Sequence, residues 1–296
     1  MKVMVRLIRP WHLAGILAAQ ALTVQNLSIY PKQGQLIWFF IASAFAVTAG
    51  HIIQDIKDYE SDLINEPGNL WIGKVMPIEN ARYLYWTLFF VSAFLALQIS
   101  VEAYFLFTLV LLLQFVNAVV LKKFPILENI LSSAVIVYAI LIVPEIFDAP
   151  LHEYPWPAAY IGFYILFLIE LVSDIRSVKG DTIQKRYSIP VLFGANVSLS
   201  ILWVLILLPA LLFIGGFVYF VNIFWPDLQS GNQEMIIAVC LMLGLVVLPV
   251  SYLTWAAYRS RIGKHALLRL QNELKFLLVL GMLYWGIALF SSHVFS

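Results

Sequence analysis

Apolar runs of about 20 residues, each long enough to cross the hydrocarbon core of a bilayer, recur along the whole of this chain. They leave no interval wide enough for a separate soluble domain, so the 296 residues read as one integral-membrane domain, residues 1–296, built from helices alone. The composition agrees: 62% apolar and only 12% charged is more apolar surface than a soluble fold of this size buries. Nine spans are predicted, roughly Trp11 to Ser28, Leu36 to Gln54, Tyr83 to Ser100, Tyr104 to Leu121, Ile130 to Ile146, Ala158 to Ser173, Val197 to Phe220, Met235 to Tyr258 and Phe276 to Val294.

The net charge of +1 hides a segregation that appears once the spans are placed. With a cytoplasmic N-terminus, 17 of the 18 Lys and Arg residues fall on the cytoplasmic side and only Lys32 on the other. Basic residues near span ends set orientation, so the predicted topology is N-in and C-out. The N-terminal segment resembles a signal peptide, but its apolar run continues to about Ile29, and it is read as the first span. A single cysteine, Cys240, excludes a disulfide framework and a Cys-based metal site, and the five histidines show no metal-ligand spacing. No Gly-rich phosphate loop or nucleic-acid patch is present.

Where charge is scarce, its clustering is informative. The stretch QDIKDYESD (54–62) puts four carboxylates within eight residues at the end of span two. Asp55, Asp58 and Asp62 stand at i, i+3 and i+7 with Gln54 beside Asp58, so they share a face if the helix runs on past the membrane. Glu170, Asp174, Ser177 and Asp181 stand at i, i+4, i+7 and i+11 at the end of span six. The segments after the two spans share a plan, carboxylates followed by a basic, Gly- or Pro-containing loop, which is a weak internal repeat. One such cluster is most simply a solvated helix end; two on matching spacings suggest two faces meeting across a cavity. Close carboxylates resist ionising unless a cation stands between them. All-oxygen donors suit Mg²⁺ or Mn²⁺, and Mg²⁺ commonly bridges carboxylates to a substrate's phosphates.

These segments resemble the two Asp-rich motifs of the UbiA superfamily of intramembrane prenyltransferases. QDIKDYESD is similar to N-D-x-x-D-x-x-x-D, and DIRSVKGD (174–181) to D-x-x-D-x-x-G-D. The resemblance extends in the same order over most of the chain, through RLIRPWHL, the I-N-x-P of LINEP, LKKFPILEN and GDTIQKRYSIPVLFG. The first loop resembles bacterial relatives of digeranylgeranylglyceryl phosphate synthase, whereas Ser177 within the second motif resembles chlorophyll synthases. Departures from the family pattern are Gln54 for Asn, Gly68-Asn69 for Asp-Arg, Ser177 for a carboxylate, Glu128 for Gly and Thr182 for Arg.

The resemblance implies a nine-helix UbiA-like bundle in a bacterial inner membrane, with a cytoplasmic site where Mg²⁺, or Mn²⁺, binds a prenyl diphosphate for transfer to a lipophilic acceptor. Carried over by position, Asp58, Asp62, Asp174 and Asp181 are the expected metal ligands and catalytic groups. Gln54, Asp55, Asn65 and Ser177 join the expected substrate-binding set, with Lys74, Lys122 and Lys123 neutralising the diphosphate. A geranylgeranyl donor and a glycerol phosphate lipid precursor are the first expectations; aromatic acids and tetrapyrroles are alternative acceptors. The competing reading is a catalytically silent homologue that serves as a lipid-binding or assembly subunit. Transport is disfavoured because the spans carry little beyond neutral amides such as Gln20, Gln98 and Gln114 near mid-membrane.

The assigned orientation is open to a direct check by labelling. With Cys240 replaced by Ser, a single cysteine at Asp148 is expected to react with a membrane-impermeant maleimide added outside, and one at Lys74 only after the membrane is opened. The opposite pattern would overturn the orientation.

Overall fold

The structure is a computed structural model that describes residues 9–28, 30–65, 70–121, 124–184, 186–208 and 264–294, with isolated positions at 211, 251, 252, 255 and 259. The described residues are helical almost throughout: α1 (Pro10–Gln25), α2 (Gln33–Asn65), α3 (Ile78–Leu97), α4 (Val101–Val119), α5 (Pro125–Ile146), α6 (Trp156–Ile183), α7 (Ile189–Phe193), α8 (Ala195–Leu208) and α9 (Lys264–Val294). Among them, α2, α4, α5 and α6 contain segments both long and apolar enough to cross a membrane. With 16 residues α1 is short for a span, and α3 carries Glu79 and Arg82 in its first turns. Most of predicted span eight, and span seven beyond Leu208 apart from position 211, lies outside the described residues.

Sequence sets several of the boundaries locally. Pro125 stands at the start of α5, where its missing N–H costs no hydrogen bond, and the Ser100 hydroxyl caps α4 by accepting from Ala103 N at 3.0 Å. The turn at Trp71 to Met76, which follows α2, needs a positive φ of 81° at Gly73.

Small residues let the long helices approach closely. Ala42, Ala46, Ala49 and Gly50 form the buried stripe of α2, and the Ser92 hydroxyl of α3 donates to the carbonyl of Ala42 at 2.8 Å. One apolar core joins α1 to α5 around Phe39, Ile52, Tyr85, Leu111 and Val143; a second joins α6 to α8 and α9 through Leu171, Leu202, Leu270 and Leu274. The outward faces are equally apolar. Trp86, Phe90, Phe94 and Leu97 on α3, and Val101, Phe105, Leu109 and Leu112 on α4, recur at helical spacing and are exposed. An aqueous surface does not carry such stripes, whereas a lipid-facing one does. The chain is an integral membrane protein.

Both α2 and α6 run past their apolar segments, which brings the two acidic motifs onto helical turns at one end of the bundle. They are clasped there. Asn65 donates to the Ser61 hydroxyl and to the carbonyl of Ser177, both at 3.0 Å, and accepts from the amide N of Gly180 at 3.0 Å. A side chain at Gly180 has no room: a Cβ there would lie 2.5 Å from Asn65 Nδ2 and 2.7 Å from the Ser61 carbonyl oxygen.

Gly180→Ala is therefore expected to destabilise the protein by about 1–3 kcal/mol, the ordinary cost of overpacking, seen as a lower Tm in detergent. Gly281→Ala, where a Cβ meets none of the described residues within 4 Å, should leave Tm unchanged or slightly raised.

Candidate functional site

The extensions of α2 and α6, the first turns of α5 and the segment after α6 enclose a polar cavity of about 130 Å³. Gln54, Asp58, Ser61 and Asp62 come from α2, and Glu170, Ser173, Asp174 and Ser177 from α6. Glu128 and Ser132 come from α5, Asn117 from α4, and Arg186 from the stretch between α6 and α7. Five carboxylates thus face one small volume. A cavity of 150 Å³ accepts a benzene-sized molecule, so this one suits a headgroup and not a polyprenyl tail.

Asp174, Asp181, Glu128 and Asp58 are held by specific partners. The Asn129 side chain donates to Asp174 Oδ2 at 2.9 Å, and both residues are buried. Asp181, fully buried, accepts from the Ser61 hydroxyl on Oδ1 at 3.0 Å and from the Ser177 hydroxyl on Oδ2 at 2.6 Å. Arg186 crosses the site. Its Nε donates to Glu128 Oε2 at 3.2 Å and its Nη2 to Glu128 Oε1, a two-pronged fork. Its Nη1 lies 3.3 Å from Asp58 Oδ1 and 3.6 Å from Asp181 Oδ1. Burial works against the charge on Arg186, but Asp58, Glu128, Asp174 and Asp181 together outweigh it and push the pKa above the ordinary value. The guanidinium is a permanent cation.

Of the residues expected from sequence, Gln54, Asp58, Asp62, Asp174 and Ser177 line the cavity. Asp181 stands behind the wall and reaches the site through Arg186. Asp55 stands on the same helical face, since α2 runs on to Asn65, but does not line the cavity: it pairs with Arg9 ahead of α1 and accepts from Trp71 Nε1 at 3.2 Å. Asn65 ties α2 to α6 rather than lining the cavity, and Lys74 is exposed outside it. Lys122 and Lys123 lie outside the described residues.

Sequence reasoning missed the roles of Glu128, Asn129 and Arg186 in the site. Placing the fifth span at Ile130 left Glu128 and Asn129 in a loop, yet the helix begins at Pro125. Proline at a first helical position followed by an acid in the first turn is a helix-start signal that marks this boundary.

The UbiA prenyltransferase family model matches residues 11–270. The chain belongs to the UbiA prenyltransferase family. Digeranylgeranylglyceryl phosphate synthase of Methanobrevibacter smithii is 26% identical over 216 residues, 70% of this chain and 75% of that one. The enzyme of the same name from Pyrococcus horikoshii is 30% identical over 205 residues, 67% and 71% of the two chains. A UbiA homologue from Archaeoglobus fulgidus, bound to GPP and Mg²⁺, superposes with a TM-score of 0.64 at 15% identity, over 98% of this chain and 99% of that one. The fold is thus that of the UbiA homologues.

The donor set fits a hard divalent cation in kind, being all oxygen. In arrangement, no three carboxylates among the described residues converge as a ready cage, and the Arg186 guanidinium stands between Asp58 and Asp181.

The separate placement of Asp55 and Asp58 has a measurable consequence. Asp55→Asn should lower stability by about 1–2 kcal/mol through the weakened Arg9 contact while leaving prenyl diphosphate affinity within about twofold. Asp58→Asn, at a metal ligand that the family resemblance implies, should weaken that affinity by about tenfold or more. Equal effects of the two on affinity would remove the distinction.

Proposed function

We propose that this protein transfers a prenyl group, geranylgeranyl in the first instance, from its diphosphate to a lipophilic acceptor in the membrane, with Mg²⁺ or Mn²⁺ required. The observation that carries the proposal is the convergence of both acidic motifs on one cavity at the end of an apolar bundle. Family membership supports prenyl transfer, and the relatives' names support a glycerol phosphate lipid precursor as acceptor. In this proposal the bundle has nine spans with the N-terminus inside, on the strength of the 17-to-1 distribution of basic residues, and the cavity faces the cytoplasm.

Asp58, Asp62 and Asp174 are the proposed metal-holding groups, with Asp181 behind them and Gln54 and Ser177 on the wall. When bound, the divalent ion neutralises charge on the diphosphate leaving group. The chain's own residues do the rest. Arg186, with Lys122, Lys123 and Lys74 as proposed helpers, offers positive charge to the oxygens on which charge develops. The apolar bundle excludes water, which would otherwise capture the allylic cation. The bond between prenyl C1 and the bridging oxygen breaks with its electron pair leaving on diphosphate. An acceptor oxygen then bonds to C1, and its proton passes to a cavity carboxylate.

The test is binding and turnover of radiolabelled geranylgeranyl diphosphate by purified protein in detergent, with and without Mg²⁺, for wild type and Asp62→Asn. Mg²⁺-dependent binding that falls by tenfold or more in the variant, with diphosphate released when an acceptor is added, is the expected result. Absence of Mg²⁺-dependent binding to folded wild type would overturn the proposal and favour a silent homologue.

A further inference from the structure

We infer that Arg9, His12, His51 and Lys275 form a second, cationic site beside the cavity, and that this site takes a phosphate monoester carried by the acceptor. The inference rests on the proposed function and names the group by which the chain recognises its acceptor.

The four basic side chains come from different elements. Arg9 stands just ahead of α1, His12 in its first turn, His51 on α2 and Lys275 on α9, which packs against α1. The His12 and His51 rings meet edge to face with centroids 5.8 Å apart. The charges of Lys275 and Arg9 are both felt at His12, and that of Arg9 at His51. The carboxylate in contact with the group is Asp55, already engaged by Arg9 and by Trp71 Nε1 at 3.2 Å. Among the described residues, then, two permanent cations and two imidazoles face one carboxylate. Gathering like charges costs free energy that an arriving anion relieves.

The histidines are not braces. A packed histidine is ordinarily tied through a ring nitrogen, yet neither ring makes a hydrogen bond to a described residue, and His51 Nδ1 is buried without a partner. Each imidazole presents an N–H donor whether charged or neutral. His12 is exposed and Arg9, His51 and Lys275 are half-buried, so the group is open among the described residues.

Depth and position suit an amphiphilic acceptor. His12 stands at the head of predicted span one and Lys275 immediately before predicted span nine, at the level of lipid headgroups. A phosphate held there leaves its prenyl chain in the bilayer. His51 is three residues before Gln54, which lines the cavity, and the charge of Arg9 reaches Glu170 on the cavity wall. A glycerol hydroxyl a few bonds from the anchored phosphate is thus brought beside the place where the donor ionises. The cavity itself, with its five carboxylates, is the wrong place for a second phosphate.

The test measures acceptor binding apart from turnover. Purified protein in detergent, without Mg²⁺ or donor, is titrated with a radiolabelled glycerol phosphate carrying one geranylgeranyl ether and, in parallel, with the same ether lacking the phosphate. The phosphorylated form is expected to bind more tightly by about tenfold or more, the ordinary worth of charge-assisted hydrogen bonds. His12→Gln and Lys275→Gln should each erase most of that preference while leaving geranylgeranyl diphosphate affinity, measured with Mg²⁺, within about twofold. Equal binding of the two ethers by wild type would overturn the inference, and this arm needs no variant to fold. An unchanged preference in both folded variants would overturn it too, as would an equal loss of diphosphate affinity, which would put the cluster in donor binding. Phosphatidic acid displacing the labelled ether as well as the unlabelled ether does would assign the site to phosphate lipids in general and overturn the acceptor reading. Absence of Mg²⁺-dependent donor binding would overturn the proposed prenyl transfer while a phosphate preference still stood.

Discussion

The contact between α2 and α6 at their charged ends is the constraint on which the site depends. Asn65 bridges Ser61, the Ser177 carbonyl and the Gly180 amide, and Asp181 receives two hydroxyls in the same layer. Each bond satisfies a polar group that apolar packing would leave stranded, so the clasp holds two long helices in one register. That register puts Asp58 and Asp62 opposite Asp174. A bare Gly180 is what allows the backbones to come this close.

Electrostatics then ranks the parts of the cavity. Five carboxylates and one guanidinium line it, so even a perfectly placed Arg186 leaves the described wall negative. Such a wall repels a free anion, so the proposed diphosphate substrate calls for further cations beside it. The buried carboxylates also cost stability unless they are paired. Asn129, Ser61, Ser177 and Arg186 are the partners that offset this cost.

Much of this was legible in the sequence, and the rest was hidden for identifiable reasons. Apolar periodicity revealed the helical membrane class, and the i, i+3, i+4 and i+7 spacings placed Asp58, Asp62 and Asp174 on the faces that meet. Spacing alone could not say that Asp55 would turn to Arg9, 46 residues away, because both flanks of a helical face are open to a nearby side chain. Asn65 looked like part of a binding motif and is a brace, since its partners lie more than 110 residues further along the chain. Arg186 read as one more basic residue of a cytoplasmic loop. Only the fold brings it to Glu128, and a salt bridge spanning 58 residues leaves no periodic trace.

The small volume of the cavity has a bearing on selectivity. At about 130 Å³ it has room for the diphosphate of the proposed substrate and not for the far end of its prenyl chain. Discrimination between a short tail and a long one must then come from the apolar flanks of the bundle. On the proposed function, chemistry and length selection fall to different residues, and evolution can alter one while leaving the other in place.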